Sequence, residues 1–91
     1  MNEKQFQQQI RDLSIIMGWR VYHTWNSIHS PAGFPDLCLV RESRLIFGEL
    51  KTDSGKVTPA QQGWLDALEA TKAGVYVWRP VMFNDIVEIL R

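Results

Sequence analysis

The chain has one cysteine, Cys38, so no internal disulfide can form, and its two histidines stand in no CxxC or HxxxH spacing that would mark a zinc site. Net charge is also missing. Ten basic residues balance ten acidic ones, which removes the broad positive field by which a nucleic-acid coat or a membrane-surface protein attracts its partner. Any nucleic-acid site must then be local. No apolar run is long enough to span a bilayer, and the N-terminus carries no basic-then-apolar signal pattern, so no membrane partner is expected and a reducing cytoplasm is the expected compartment. Repeats and low-complexity tracts are absent from the 91 residues, which make one domain over residues 1–91. What is present is apolar material. Hydrophobic residues make up 45% of the chain and four of them are tryptophans, a composition that argues against disorder. So small a chain gains much by pairing with a copy of itself.

Periodicity predicts the order αβββαβα. Asn2 can cap a first helix whose Phe6, Ile10, Leu13 and Met17 recur on one face, with Gly18 placed to end it. A strand over Trp19 to Trp25 is rich in Val, Tyr, Thr and Trp, and a polar loop over Asn26 to Gly33 leads to Pro35 at the start of the next strand, Leu37 to Val40. A turn through Arg41 to Ser43 precedes Leu45 to Leu50, apolar on both faces as a covered central strand should be. Thr58-Pro59-Ala60-Gln61 combines an N-cap, a proline at the first helical position and a capping-box glutamine. The helix it opens buries Trp64, Leu65 and Leu68 and stops near Gly74. Val75 to Trp78 then returns as a parallel strand, and a closing helix from about Asn84 to Leu90 turns Ile86, Ile89 and Leu90 inward. The fold class is α/β, a mixed central sheet flanked by helices.

Three polar side chains interrupt this apolar plan at one place. Asp36 opens the first strand of the hairpin and Glu49 and Lys51 close the second, so pairing brings all three to one end of the sheet. Side-chain alternation puts Glu49 and Lys51 on one face, about 7 Å apart by Cα, with Leu50 pointing the other way. Singly, Asp36 after a proline is an ordinary turn residue and Glu49 with Lys51 an ordinary alternation. Together they need a cation, because an unpaired carboxylate pair at the end of two apolar strands repels. Glu3, three residues before Phe6, lies beside the buried stripe of the first helix and within reach of the trio. His23 reads as a satisfied polar residue near the site, the tryptophans as core or interface, and Gln61 as the capping partner of Thr58.

Pro35-Asp36 with Glu49-Leu50-Lys51 resembles the PD-(D/E)XK nuclease superfamily, whose core is αβββαβ. More narrowly, Gly-Phe-Pro-Asp, Glu-Leu-Lys, Thr-Pro-Ala-Gln, the following Trp-Leu and the late Val-Trp-Arg-Pro resemble the stand-alone VRR-NUC family of phages and bacteria, over nearly the whole chain. The resemblance implies a Mg²⁺- or Mn²⁺-dependent DNA endonuclease in the cytoplasm of a bacterial cell. Asp36, Glu49, the main-chain carbonyl of Leu50 and Glu3, which matches the family's helix-one acid, would bind metal; Lys51 would orient the attacking water, and Gln61, which matches the family's glutamine, would take part in catalysis. It further implies a homodimer acting on branched DNA, a Holliday-junction resolvase in its sharpest form. Family members usually place a small polar or acidic cap after Trp-Arg-Pro; Val81-Met82 stand there instead and leave the last helix weakly capped. The rival reading is a non-catalytic DNA-binding or interaction module that keeps the fold, against which the intact acid-acid-lysine set argues.

Overall fold

The computed structural model describes residues 1–25 and 29–91. Residues 26–28, the first three of the expected polar loop, lie outside the described residues. Helix α1 spans Glu3–Ile16, and Asn2 caps it in a full capping box, its Oδ1 accepting from the Gln5 N–H at 2.8 Å while Gln5 Oε1 accepts from the Asn2 N–H at 3.0 Å. Gly18 follows at φ 89°, the left-handed turn that a glycine makes without steric cost. Phe6 and Ile10 are fully buried, Leu13 and Met17 half-buried. Ser14 joins the buried stripe because its hydroxyl donates to the Ile10 carbonyl at 2.7 Å.

Four strands form one mixed sheet in the order β1-β2-β3-β4: β1 Arg20–His23, β2 Leu37–Arg41, β3 Arg44–Leu50 and β4 Gly74–Trp78. β1 and β3 both run antiparallel to β2, whereas β4 is parallel to β3. The strand expected over Trp19 to Trp25 is shorter at both ends. Trp19 is drawn into the core, where its indole N–H donates to the Leu90 carbonyl at 3.0 Å, and Trp25 is 77% exposed. The expected turn at Arg41 to Ser43 tightens to Glu42-Ser43, because Arg41 pairs with Arg44, and Glu42 adopts φ 54° at the first central position. β3 is central, and Ile46 through Leu50 are all buried as that position requires.

Helix α2 spans Pro59–Glu69 and α3 spans Phe83–Leu90 after a single 3₁₀ turn at Pro80–Met82. Side chains of one parity along the sheet, Leu37, Leu39, Ile46, Leu50 and Trp78, join Phe6 and Ile10 of α1 and Ile86 and Leu90 of α3 in the main core. Phe47, of the other parity, and Leu65 of α2 are buried outside that cluster. Gly48 lets Trp78 lie flat across the strands, since a Cβ there would meet the indole at 2.9 Å. The end of the sheet away from the acidic residues is fastened by two arginines. Arg41 donates to the Met17 and Leu90 carbonyls and Arg44 to the Ile89 and Arg91 carbonyls, both guanidiniums lying within 5 Å of the Trp19 ring centroid.

Candidate active site

The hairpin register sets Leu37 opposite Gly48, so Asp36, just before β2, faces the end of β3 at Glu49 and Leu50. Two hydrogen bonds and one close backbone approach fix the chain around it. The Thr24 N–H donates to the Asp36 carbonyl at 2.8 Å and the Thr24 hydroxyl to the Pro35 carbonyl at 2.6 Å, which ties the start of β2 to the end of β1. Gly33, at φ 96°, passes so close to the start of α2 that a Cβ would lie 2.5 Å from the Ala60 carbonyl carbon. The Asp36 side chain then turns inward, and Oδ2 accepts the Leu50 N–H at 2.7 Å. Leu50 is thereby clamped beside the acid whose metal its main-chain carbonyl is expected to share.

Glu49 is 1% exposed, and its Oε1 has no hydrogen-bond partner among the described residues. Burial pushes its carboxyl up to about 8; a hydrogen bond with Asp36 and repulsion from Asp36 add to the rise, the Lys51 ammonium opposes it, and the Glu3 carboxylate contributes further repulsion. Lys51 is itself buried, at 8% exposed, beneath the loop that follows β3. The pair of acids is thus short of positive charge. The Lys51 ammonium lowers the Glu49 carboxyl but does not offset the effects that raise it.

The structure brings together Asp36, Glu49 and Lys51, as the sequence pattern predicts. Glu3 is exposed on the first turn of α1 and acts on Glu49 through space; no group of three or more His, Cys, Asp or Glu side chains lies close enough to chelate a metal among the described residues. Gln61 makes the predicted capping box, its Oε1 accepting from the Thr58 N–H at 2.9 Å, and it also lines an open groove of about 950 Å³ together with Asp36. His23 packs edge-on against Trp25, with centroids 5.6 Å apart. The Arg79 guanidinium donates to the carbonyls of Thr52 and Gly55 at 2.7 and 2.6 Å, so it braces the loop after Lys51, a role the strand pattern around Arg79 gave no sign of.

An orphaned buried carboxylate oxygen beside a second carboxylate is a hard, anionic donor set, and it fits a divalent cation that prefers oxygen ligands, Mg²⁺ or Mn²⁺. Among the described residues no helix is long and apolar enough to cross a membrane.

Comparison with known proteins bears on this arrangement. The family model for the VRR-NUC domain matches residues 1–81. Two solved structures share the fold. One, titled "VRR_NUC domain", superposes with a TM-score of 0.77 at 21% identity, over 97% of this chain and 92% of the other. The second, titled "VRR_NUC domain protein", gives 0.74 at 18% identity, over 99% of this chain and 85% of the other. No curated protein matches the sequence significantly.

Proposed function

Because the chain belongs to the VRR-NUC domain family, a nuclease fold generally acting on DNA, we propose that it is a divalent-metal-dependent endodeoxyribonuclease that hydrolyses phosphodiester bonds at branched DNA. The observation that carries the reading is Glu49, buried with an unpartnered Oε1 beside Asp36. A protein that did not use this pair would gain stability by replacing it with apolar residues of similar volume.

Asp36, Glu49 and the Leu50 main-chain carbonyl would hold Mg²⁺ or Mn²⁺, with Glu3 contributing negative charge from outside the pair. Such an ion supplies charge neutralisation at the phosphate and activation of a water. Lys51 is no ligand. Its ammonium, held close to Glu49 by β3, would orient the attacking water and offset the charge that develops on the phosphate. Gln61 borders the groove beside Asp36, where its side-chain amide would position the substrate; its Oε1 stays with Thr58. The oxygen of the attacking water would add to phosphorus as the bond from phosphorus to the sugar oxygen breaks, the water giving up one proton to solvent and the leaving oxygen taking one up from solvent. The whole of residues 1–91 forms this nuclease domain.

Branched DNA is favoured over plain duplex by charge. With ten basic and ten acidic residues, the chain gains little from counterion release along a regular duplex, which rewards many phosphate contacts. A homodimer would present two sites related by a two-fold axis, matching the strand symmetry of a four-way junction and raising effective affinity without new contacts. The resolvase reading places the protein in a bacterial cytoplasm. The test is Mg²⁺- and Mn²⁺-supported cleavage of a four-way junction, a flap and a linear duplex of equal length at one salt concentration, with light scattering on the same sample. Junction cleavage fastest, by a dimer, is the expected result. Equal rates on all three would leave a nuclease and remove the resolvase; no cleavage of any would favour the non-catalytic DNA-binding module.

A further inference from the structure

The groove beside Asp36 is walled by rings. Trp25 and Tyr22 are 77% and 64% exposed, unusual for side chains so large, and both face this groove. Its other wall is already ordered, since Phe34 packs edge-on against Trp64 at 5.1 Å and against Phe47 at 5.7 Å. Trp25 is steadied by the edge of His23. At about 950 Å³ the groove lies near the upper end of the roughly 300–1,000 Å³ usual for ligand clefts.

Its electrostatics narrow the occupant. No lysine or arginine lines the groove among the described residues, and Asp36 is the one charged group that does. Away from a cation held at Asp36, neither a phosphate nor an acidic peptide would find a basic partner there. An uncharged planar group attached to a backbone that passes Asp36 would find stacking surfaces on both sides. We propose that the groove between Trp25, Tyr22 and Trp64 is a stacking site for an unpaired nucleobase of the strand presented to Asp36. The proposal rests on the nuclease reading above and adds to it a recognition element for unpaired bases. Bases inside a continuous duplex keep their faces covered by neighbours, whereas those at a branch point or flap can swing out, and stacking accepts any of them because every base has a π-face. Affinity gained this way does not rely on phosphate contacts, which suits a chain with no net charge.

The test uses the full chain carrying Asp36→Asn, in EDTA, so that nothing is cut. Fluorescence anisotropy compares a labelled oligothymidylate with a labelled blunt duplex of equal length, while indole emission is followed. The single strand should bind more tightly and quench the indole signal. Trp25→Ala should weaken that binding about tenfold or more, Tyr22→Ala should weaken it too, and Trp25→Phe should retain most of it. Both rings are exposed, so circular dichroism of the variants should match the parent. Single-strand affinity unchanged in both alanine variants overturns the proposal, as does Trp25→Ala turning a dimer into a monomer with single-strand affinity intact, which would assign the groove to self-association. Single-strand binding that depends on Trp25, in a protein that never cuts DNA with Asp36 intact, upholds the groove and removes the nuclease. Cutting by the parent with binding indifferent to Trp25 does the reverse.

Discussion

Glu49 carries its burial as a pH-dependent weakness of the fold. Its folded-state carboxyl is raised from 4.5 to about 8, so between those values the folded chain holds a proton that the unfolded chain has released. Stability contributed by this group is therefore greatest at low pH and is lost as pH rises through that window. Glu49→Gln keeps the shape and removes the charge. In metal-free buffer at pH 8 the variant should melt above the parent by roughly 10 °C, an effect on the order of 2 kcal/mol, and the two should converge near pH 4. Thermal melts at several pH values check this, and parallel curves across the range would mean that Glu49 is not short of a counter-charge. The site's core was legible in the sequence because Asp36, Glu49 and Lys51 are joined by a short hairpin whose register follows from strand alternation. Thr24 was not, since what it contributes is two hydrogen bonds to carbonyls of Pro35 and Asp36, and nothing in a lone threonine announces such partners.

Among the elements, α3 departs most from what its own sequence supplies. Val81-Met82 offer no side-chain cap, and the helix indeed makes no capping bond at its own N-cap residue, entering through a 3₁₀ turn and starting at Phe83 instead of Asn84. The missing acceptor comes from elsewhere: Asp53, in the loop after β3, accepts the Val81 N–H at 3.1 Å. Asp53→Ala should therefore cost about 1 kcal/mol, read as a lower urea midpoint with an unchanged slope. An unchanged midpoint would show the bond to be idle. Both helices with local caps, α1 and α2, were legible to within a residue or two at their starts because cap and partner lie three positions apart. The supports of α3 were not, since Asp53 lies 28 positions from Val81, Arg41 49 positions from Leu90, and Trp19 71 positions from the same carbonyl. The same long-range bond explains why β1 begins at Arg20 and leaves Trp19 to the core.

At the scale of the molecule, the four tryptophans divide by role. Trp19 and Trp78 are core, Trp64 is half-buried over Phe34, and Trp25 alone is largely exposed. The mixed sheet and its flanking helices were legible from periodicity and from the βαβ return after α2. The groove was not, because it is assembled from the end of β1, the approach to β2 and the first turns of α2, which no single stretch of sequence joins. All of these parts converge on one carboxylate pair whose purpose, on this account, is to hold a cation. Calorimetric titration of Mn²⁺ into the parent chain and into Asp36→Asn, Glu49→Gln and Lys51→Ala tests that directly. The parent and Lys51→Ala should bind the ion alike, while Asp36→Asn and Glu49→Gln should each lose about tenfold or more in affinity, since each removes a charged ligand and the lysine is not one. Equal affinity in all four proteins would contradict the account.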